Sequence, residues 1–490
     1  MNPLLPIKFT VSQGTVAVLG GGISGLTAAY RLAQIHPAPK RIVLLEASSR
    51  LGGWMHSTRN ADGVMYEHGP RTLRPSGTAG VVTLNLVDEL QIKDQILYVP
   101  GDAPAATNRL VYIDGKLVNL PFNRLVSLLL KGRAPLQRPL IAAVFQDLFT
   151  RRSKDEDESF HSFVNRRFGS DLANFIIDPM IRGICAGDSK DISVNFIAKT
   201  LRDFEQKYGS VSIGIALAII GGKLNFSGSG GVPMSELAMQ AEAEKWAVWS
   251  LKGGLQALPE ALAVKAAEAG VEITTESPCT GLTFQNDGSI VVQTEREELE
   301  VSRLISALPA NSLASVVAAS HPNLSAMLNS IEQVTVGLVN LEWSGQRITD
   351  EAFGFLVPST QNLPVLGVVY DTCAFPQGDR TVVTCMMGGK WYKSLFGDHT
   401  TEEDLLAVAR KHIESILGIS DAPDRYQAHI LKKCIPQYVV GHTSKVAKIR
   451  EYIQQNRMGI DLIGASFDGV SVNDCITNAL STVNNMAQTK

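Results

Sequence analysis

No apolar run in this 490-residue chain reaches the ~18 residues needed to span a bilayer as a helix. The nearest approach is Val211–Gly222, VSIGIALAIIGG. Taken by itself it reads either as a buried core helix or as a helix dipping into one leaflet. Cysteine is sparse. The six residues Cys185, Cys279, Cys373, Cys385, Cys434 and Cys475 form no C-x-x-C pair, which argues against a zinc site or a disulfide framework and suits a reducing compartment. The nine histidines include no H-E-x-x-H pair, so no metal site is expected. There is no long basic run, and 45 basic residues face 48 acidic ones, which argues against nucleic acid as a partner. No arginine precedes the first strand, and neither a secretory signal nor a cleavable transit peptide is visible, so any organellar address would be internal. With 45% hydrophobic and 19% charged residues, the composition predicts two or three globular domains.

What is present begins at Thr15–Gly25, TVAVLGGGISG. A short apolar strand runs into a glycine turn and then a helix. Gly20, Gly22 and Gly25 have the G-x-G-x-x-G spacing of a dinucleotide cradle. The first glycine permits the turn, the second admits a diphosphate, and the third lets the helix pack on the strand. Gly21, Ile23 and Ser24 complete the segment, whose helix N-terminus favours phosphate. A second apolar strand, Arg41–Leu45, ends in Glu46, where an acid binds ribose hydroxyls.

Past Glu46 stand Arg50-Leu51-Gly52-Gly53-Trp54. A double glycine lets backbone pass close to a ligand. Arg50 is placed to meet a phosphate or to brace the loop. Near the other end, Ile460–Ala465 reads as a strand, with Gly464 and the Gly469 turn before a final helix. That helix N-terminus would stabilise negative charge on a reduced cofactor ring.

Between these segments the pattern changes. Arg109–Ile113 and Lys116–Leu120 flank an Asp114-Gly115 turn, predicting a hairpin. From Leu125 to about Ala238 the text is helical, with a leucine triplet at 128–130, a charged run Arg151–Glu158 expected as a solvated loop or helix start, and a helix at Phe160–Phe168. Dinucleotide-type patterning resumes near Trp246, with a helix after Pro259, a hairpin around Gly281 and Ser289, and a strand at Glu300–Ala307. Trp246 and Trp249 read as core. Val334–Met387 is rich in strands, as a substrate sheet would be.

Taken together, RLGGW, EHGPRTLRP, IRGICAGDS, WSLKGGLQALP, CIPQY and GASFDGVSVNDC resemble the oxygen-dependent, mitochondrial-type protoporphyrinogen oxidase family of the flavin amine oxidase and phytoene desaturase superfamily. The likeness runs from Thr15 to about Asn478. It implies an α/β fold: a Rossmann-like FAD domain assembled from residues 1–103, 239–310 and 456–490, a helical membrane-associating domain at 104–238, and a mixed β-sheet substrate domain at 311–455. It also implies FAD contacts, non-covalent, from Gly20 to Gly25, Glu46, Trp54, Gly69, Pro70, Arg71, Thr72, Cys279, Ala465, Val470, Ser471 and Val472. Arg71 is also a candidate for the active-site entrance.

Arg109 would pair with a substrate propionate, although an arginine at a strand start is ordinarily a surface residue. Gly183, Leu356, Val369 and Met386 would line the porphyrinogen pocket; without the resemblance they read as a loop glycine and β-core residues. The implied reaction is oxidation of protoporphyrinogen IX to protoporphyrin IX in haem biosynthesis. It takes six electrons in three flavin cycles, with O2 reduced to H2O2 and no dedicated side-chain base. The implied setting is a homodimer on the intermembrane-space side of the inner mitochondrial membrane, with neighbouring haem-pathway enzymes among the implied partners. Two alternatives remain: a flavin amine oxidase, which would need an aromatic-lined site in a chain only 7% aromatic, and a non-catalytic FAD-binding membrane protein.

Overall fold

The computed structural model describes residues 14–120, 136, 138–221 and 230–488. The leucine triplet at 128–130 and Gly222 lie outside them. A parallel five-stranded sheet organises the cofactor side. Its strand order is Ile460–Leu462, Arg303–Ser306, β1 (Thr15–Leu19), β2 (Arg41–Leu45) and Glu272–Thr274. Apolar runs such as β1 and β2 suit a sheet covered on both faces. Val16, Val18 and Leu44 join one core with α1 (Ile23–Leu32), the helix Ala257–Glu268 and the C-terminal helix Val472–Gln488. Ala17, Leu19, Val43 and Leu45 join the core on the opposite face.

That second face is covered by Ala310–Val317, Pro322–Asn329 and His442–Gln455. Apart from Ala310, these helices fall within the 311–455 segment expected to serve the substrate sheet. Their apolar stripes, Leu313–Val317 and Val446–Ile449–Ile453, fit the parallel sheet instead. The expected single strand Glu300–Ala307 is divided. Glu298–Val301 closes a three-stranded antiparallel meander, and Arg303–Ser306 enters the parallel sheet. Ser302 between them donates its N–H to Thr15 O, which switches the chain from one sheet to the other.

The second sheet has seven strands: Arg425–Pro436, Gln333–Ser344, Arg380–Gly389, Val365–Tyr370, Gly354–Leu356, Leu110–Ile113 and Lys116–Asn119. The predicted hairpin is therefore its edge, not part of the helical unit. Asp114 and Gly115 both have left-handed φ, +50° and +80°, as a two-residue hairpin turn requires. Alternation sorts the faces. Val339, Leu341, Phe355, Val368, Val383 and Cys385 pack beneath the helix Glu402–Leu417. The intervening residues face the cofactor side, where Asn340 Nδ2 donates to Glu67 O at 3.2 Å.

The helical unit includes Leu140–Phe149, Phe160–Phe168, Asp178–Cys185, Lys199–Tyr208 and Val211–Ile220. Its centre is charged. Fully buried Arg167 pairs with Asp147 and Glu205, each at 2.6 Å. The charged run is more than a solvated loop: Glu158 pairs with Arg166 at 2.6 Å and with Arg202 at 2.8 Å. Val211–Ile220 is not a buried core helix either. Only Val211 and Gly214 are buried along it, while Ile219 and Ile220 are 62% and 83% exposed. Among the described residues no helix is long and apolar enough to cross a membrane.

Candidate cofactor cleft and substrate face

A cleft of about 720 Å³ opens at the C-terminal ends of β1 and β2. Gly20, Gly22, Ile23, Ser24, Glu46, Arg50, Gly53, Trp54, Pro70, Cys279, Ala465, Val470 and Val472 all border it. Residues far apart in sequence therefore converge on the ligand position expected of an open α/β sheet. Gly20 has φ +98° and donates its N–H to Leu45 O at 2.8 Å, which ties the turn to β2. Gly25 does not border the cleft. A Cβ there would stand 1.9 Å from Gly20 O, so only glycine lets α1 pack this closely.

The cradle fits a dinucleotide. A Cβ on Gly22 would meet only Gly53 Cα, at 3.9 Å, so space is kept open between two glycine backbones. The first turn of α1 has no capping side chain, leaving its N–H groups for an anion. Glu46 is oriented by its neighbours: Gly21 N–H donates to Oε2 at 2.7 Å and Ser48 N–H to Oε1 at 2.9 Å. Arg50 braces its loop, donating to Leu51 O at 2.9 Å, to Met55 O at 3.0 Å and to Gly53 O. Burial lowers the Arg50 pKa. Burial likewise pushes the Cys279 thiol up to about 11, so it lines the cleft as an uncharged group.

The C-terminal segment enters through a turn. Gly464 and Gly469 have φ +100° and +148°, conformations that favour glycine. Val470 and Val472 face the cleft, but Ser471 turns to its own helix, where its Oγ donates to Asp474 Oδ2 at 2.6 Å. Cys475 also borders the cleft.

The Gly69–Thr72 segment divides. Gly69 lies against the Trp54 backbone, where a Cβ would stand 1.9 Å from Trp54 O. Pro70 reaches the cleft, whereas Arg71 and Thr72 border a second chamber of about 430 Å³. Arg71 pairs there with Asp371 at 3.0 Å. Buried Glu67 shares the chamber, and burial pushes its carboxyl up to about 7.

Sequence reading missed three imidazoles in contact, one pair tilted and the other edge to face. His68 lies 4.9 Å from His56 and 4.4 Å from His429 between ring centroids. Burial and these neighbours lower the His68 pKa to about 3, so the ring is neutral. Only the histidine within EHGP offered a signal. Among the described residues around the cleft, Trp54 is the one phenyl or indole ring.

The expected substrate residues occupy the cofactor-side face of the seven-stranded sheet and its cover. Leu356 and Met386 flank Gly367 in register, and Val369 stands two residues further along the same strand. Gly183 approaches Leu356 so closely that a Cβ would stand 2.3 Å from its Cδ2. Val369 borders the second chamber. Gly183, Leu356 and Met386 are not among the residues around either cavity. Arg109 donates to Ala105 O at 3.2 Å and pairs with no carboxylate among the described residues. Burial, then the charge of Arg74, lowers its pKa.

Comparison with known proteins adds three observations. The family model described as flavin containing amine oxidoreductase matches residues 23–487. Protoporphyrinogen oxidase of Bos taurus is 40% identical over 468 residues, covering 94% of this chain and 96% of that one. The protoporphyrinogen oxidase of Schizosaccharomyces pombe is 32% identical over 498 residues, with 96% and 98% covered. Among solved structures, a protein from Exiguobacterium sp. 255-15 superposes with a TM-score of 0.78 at 20% identity, over 97% of this chain and 99% of that one. Cyclohexylamine oxidase from Brevibacterium oxydans does so with 0.65 at 12% identity, over 97% and 99%.

Proposed function

Because this chain belongs to the flavin containing amine oxidoreductases, and within them to the protoporphyrinogen oxidases, we propose that it oxidises protoporphyrinogen IX to protoporphyrin IX with FAD. The carrying observation is 40% identity to a protoporphyrinogen oxidase along 94% of the chain. FAD supplies the redox chemistry when bound. The chain's own residues bind and orient. Gly20, Gly22 and the α1 N-terminus would receive the diphosphate, with Gly25 letting α1 pack behind them, Glu46 the ribose, and the Val472–Gln488 helix N-terminus the ring. Trp54, Pro70, Cys279, Ala465, Val470 and Val472 complete the cofactor set, with Arg50 and Gly53 shaping its loop.

On the substrate side, Gly183, Leu356, Val369 and Met386 form an apolar wall for a flat tetrapyrrole. Arg109, which pairs with no carboxylate among the described residues, receives a propionate. No side chain is assigned to a dedicated proton transfer. Six electrons leave in three flavin cycles, with O2 as acceptor and H2O2 as product. The outward apolar faces of Leu140–Phe149 and Val211–Ile220 support a monotopic seat on the inner mitochondrial membrane, facing the intermembrane space. The enzyme works there as a homodimer.

The test is anaerobic titration of the purified yellow protein. Protoporphyrinogen IX should bleach the flavin absorbance, and amines should leave it unchanged. A spectrum unmoved by protoporphyrinogen overturns the reading.

A further inference from the structure

We propose that Tyr438 is a positioning residue for the cofactor, holding the Gly464–Gly469 turn in place and hitching it to the helical unit. This inference rests on the FAD reading above. Tyr438 is 3% exposed and follows Pro436, which borders the cleft, by two residues. Its hydroxyl donates to Ala465 O at 2.9 Å and accepts from Gly469 N–H at 2.8 Å. One side chain thus spans the two ends of the turn that brings the last strand to the cleft. The turn's own glycines, at φ +100° and +148°, leave its backbone permissive, so an external clamp is needed to select one geometry.

The ring of Tyr438 is itself held. It stacks on His442 at 3.8 Å and 18°, and lies 4.2 Å from Phe196. His442 Nε2 is 3.3 Å from Phe467 O, a second contact with the same turn. Phe196 belongs to the helical unit. That unit also donates Ser193 N–H to Tyr438 O at 2.9 Å, and it accepts Gln437 Nε2–H at Cys185 O at 2.9 Å. Gly441 N–H donates to Asp157 Oδ2 at 2.9 Å, which closes the strap. Residues 437–442 therefore clasp the helical unit on one side and the cofactor turn on the other. Burial raises the phenol pKa far above its ordinary value, so the hydroxyl keeps the proton it donates.

The experiment uses FAD-loaded full-length enzyme. It measures the rate of FAD release, from the fluorescence of the freed cofactor, and the thermal midpoints of holoprotein and apoprotein. Tyr438→Phe keeps the ring and removes the clamp. It should release FAD about ten-fold faster or more, and the gap between holo and apo midpoints should narrow. Phe196→Ala should also speed release, although Phe196 does not border the cleft, and Phe196→Leu should restore most of the wild-type rate.

Equal falls of both midpoints, with release unchanged, would mean a structural role only and overturn the proposal. If Tyr438→Phe does not fold, the Phe196 pair decides: unchanged release in Phe196→Ala overturns it. Failure of the wild-type protein to retain FAD would instead sink the functional reading on which this one rests.

Discussion

In the parallel sheet, β1 buries Val16, Ala17, Val18 and Leu19 between two layers of helices, and the polar work at its end is left to backbone N–H groups. The helical unit is arranged the other way round. Arg167, Asp147 and Glu205 are fully buried at its centre, while Phe149 and Ile220 are 84% and 83% exposed. An apolar face turned outward contributes nothing to folding in water, because its area is never removed from solvent. The unit must then be specified from within. Asp147 shows how: it pairs with Arg167 and also accepts from Ser210 Oγ at 2.6 Å and Ser212 N–H at 2.7 Å, fixing the start of the exposed helix. Such a network holds geometry more than it adds stability, but breaking it strands a buried charge.

The largest expected effect tests that centre. Arg167→Ala leaves Asp147 and Glu205 without a buried cation, and the helical unit should lose about 3–5 kcal/mol in denaturant unfolding. A loss below about 1 kcal/mol would mean that the network does not specify the unit.

Next comes Glu67 in the second chamber. Burial raises its pKa from 4.5 to about 7. Its contribution is therefore fully present below about pH 4.5 and lost as pH rises through about 7. Glu67→Gln removes that titration. Near pH 8 the variant should be more stable than the wild type by on the order of 3 kcal/mol, and the difference should vanish near pH 4. Parallel profiles of thermal midpoint against pH would contradict this.

Gly25→Ala probes the close packing of the cradle. Its Cβ would stand 1.9 Å from Gly20 O, so α1 must shift. We expect a cost of about 1–3 kcal/mol and weaker FAD retention, read from unfolding curves and bound flavin. Full retention would show that the turn tolerates displacement. The smallest stability effect belongs to the outward face. Ile220→Asp should change stability by no more than about 0.5 kcal/mol, yet it should reduce sedimentation with anionic liposomes about ten-fold. Unchanged sedimentation would remove the membrane role of that face.

Legibility in the sequence followed the range of the interactions. The β1–turn–α1–β2 unit was legible because an apolar strand, three glycines and one acid act within a few turns of one another. The Asp114-Gly115 hairpin was legible for the same reason, but its place at the edge of the seven-stranded sheet was not. The helices at Ala310–Val317 and His442–Gln455 show amphipathic stripes that say "one buried face" without saying which sheet supplies it. The exposure of Val211–Ile220 was equally open, since an all-apolar helix reads the same in a core and at a surface. Arg71 was visible as a functional candidate, but its pairing with Asp371 joins positions hundreds of residues apart.

Local chemistry therefore determined the phosphate cradle, because glycine conformations and a helix N-terminus need only their own neighbours. Tertiary structure decided how Gly22, Cys279 and Ala465 come to share one cleft, where the helical unit turns its apolar face, and that Tyr438 clasps the closing turn. Those contacts form only when distant segments pack, and neither composition nor periodicity carries the identity of the packing partner.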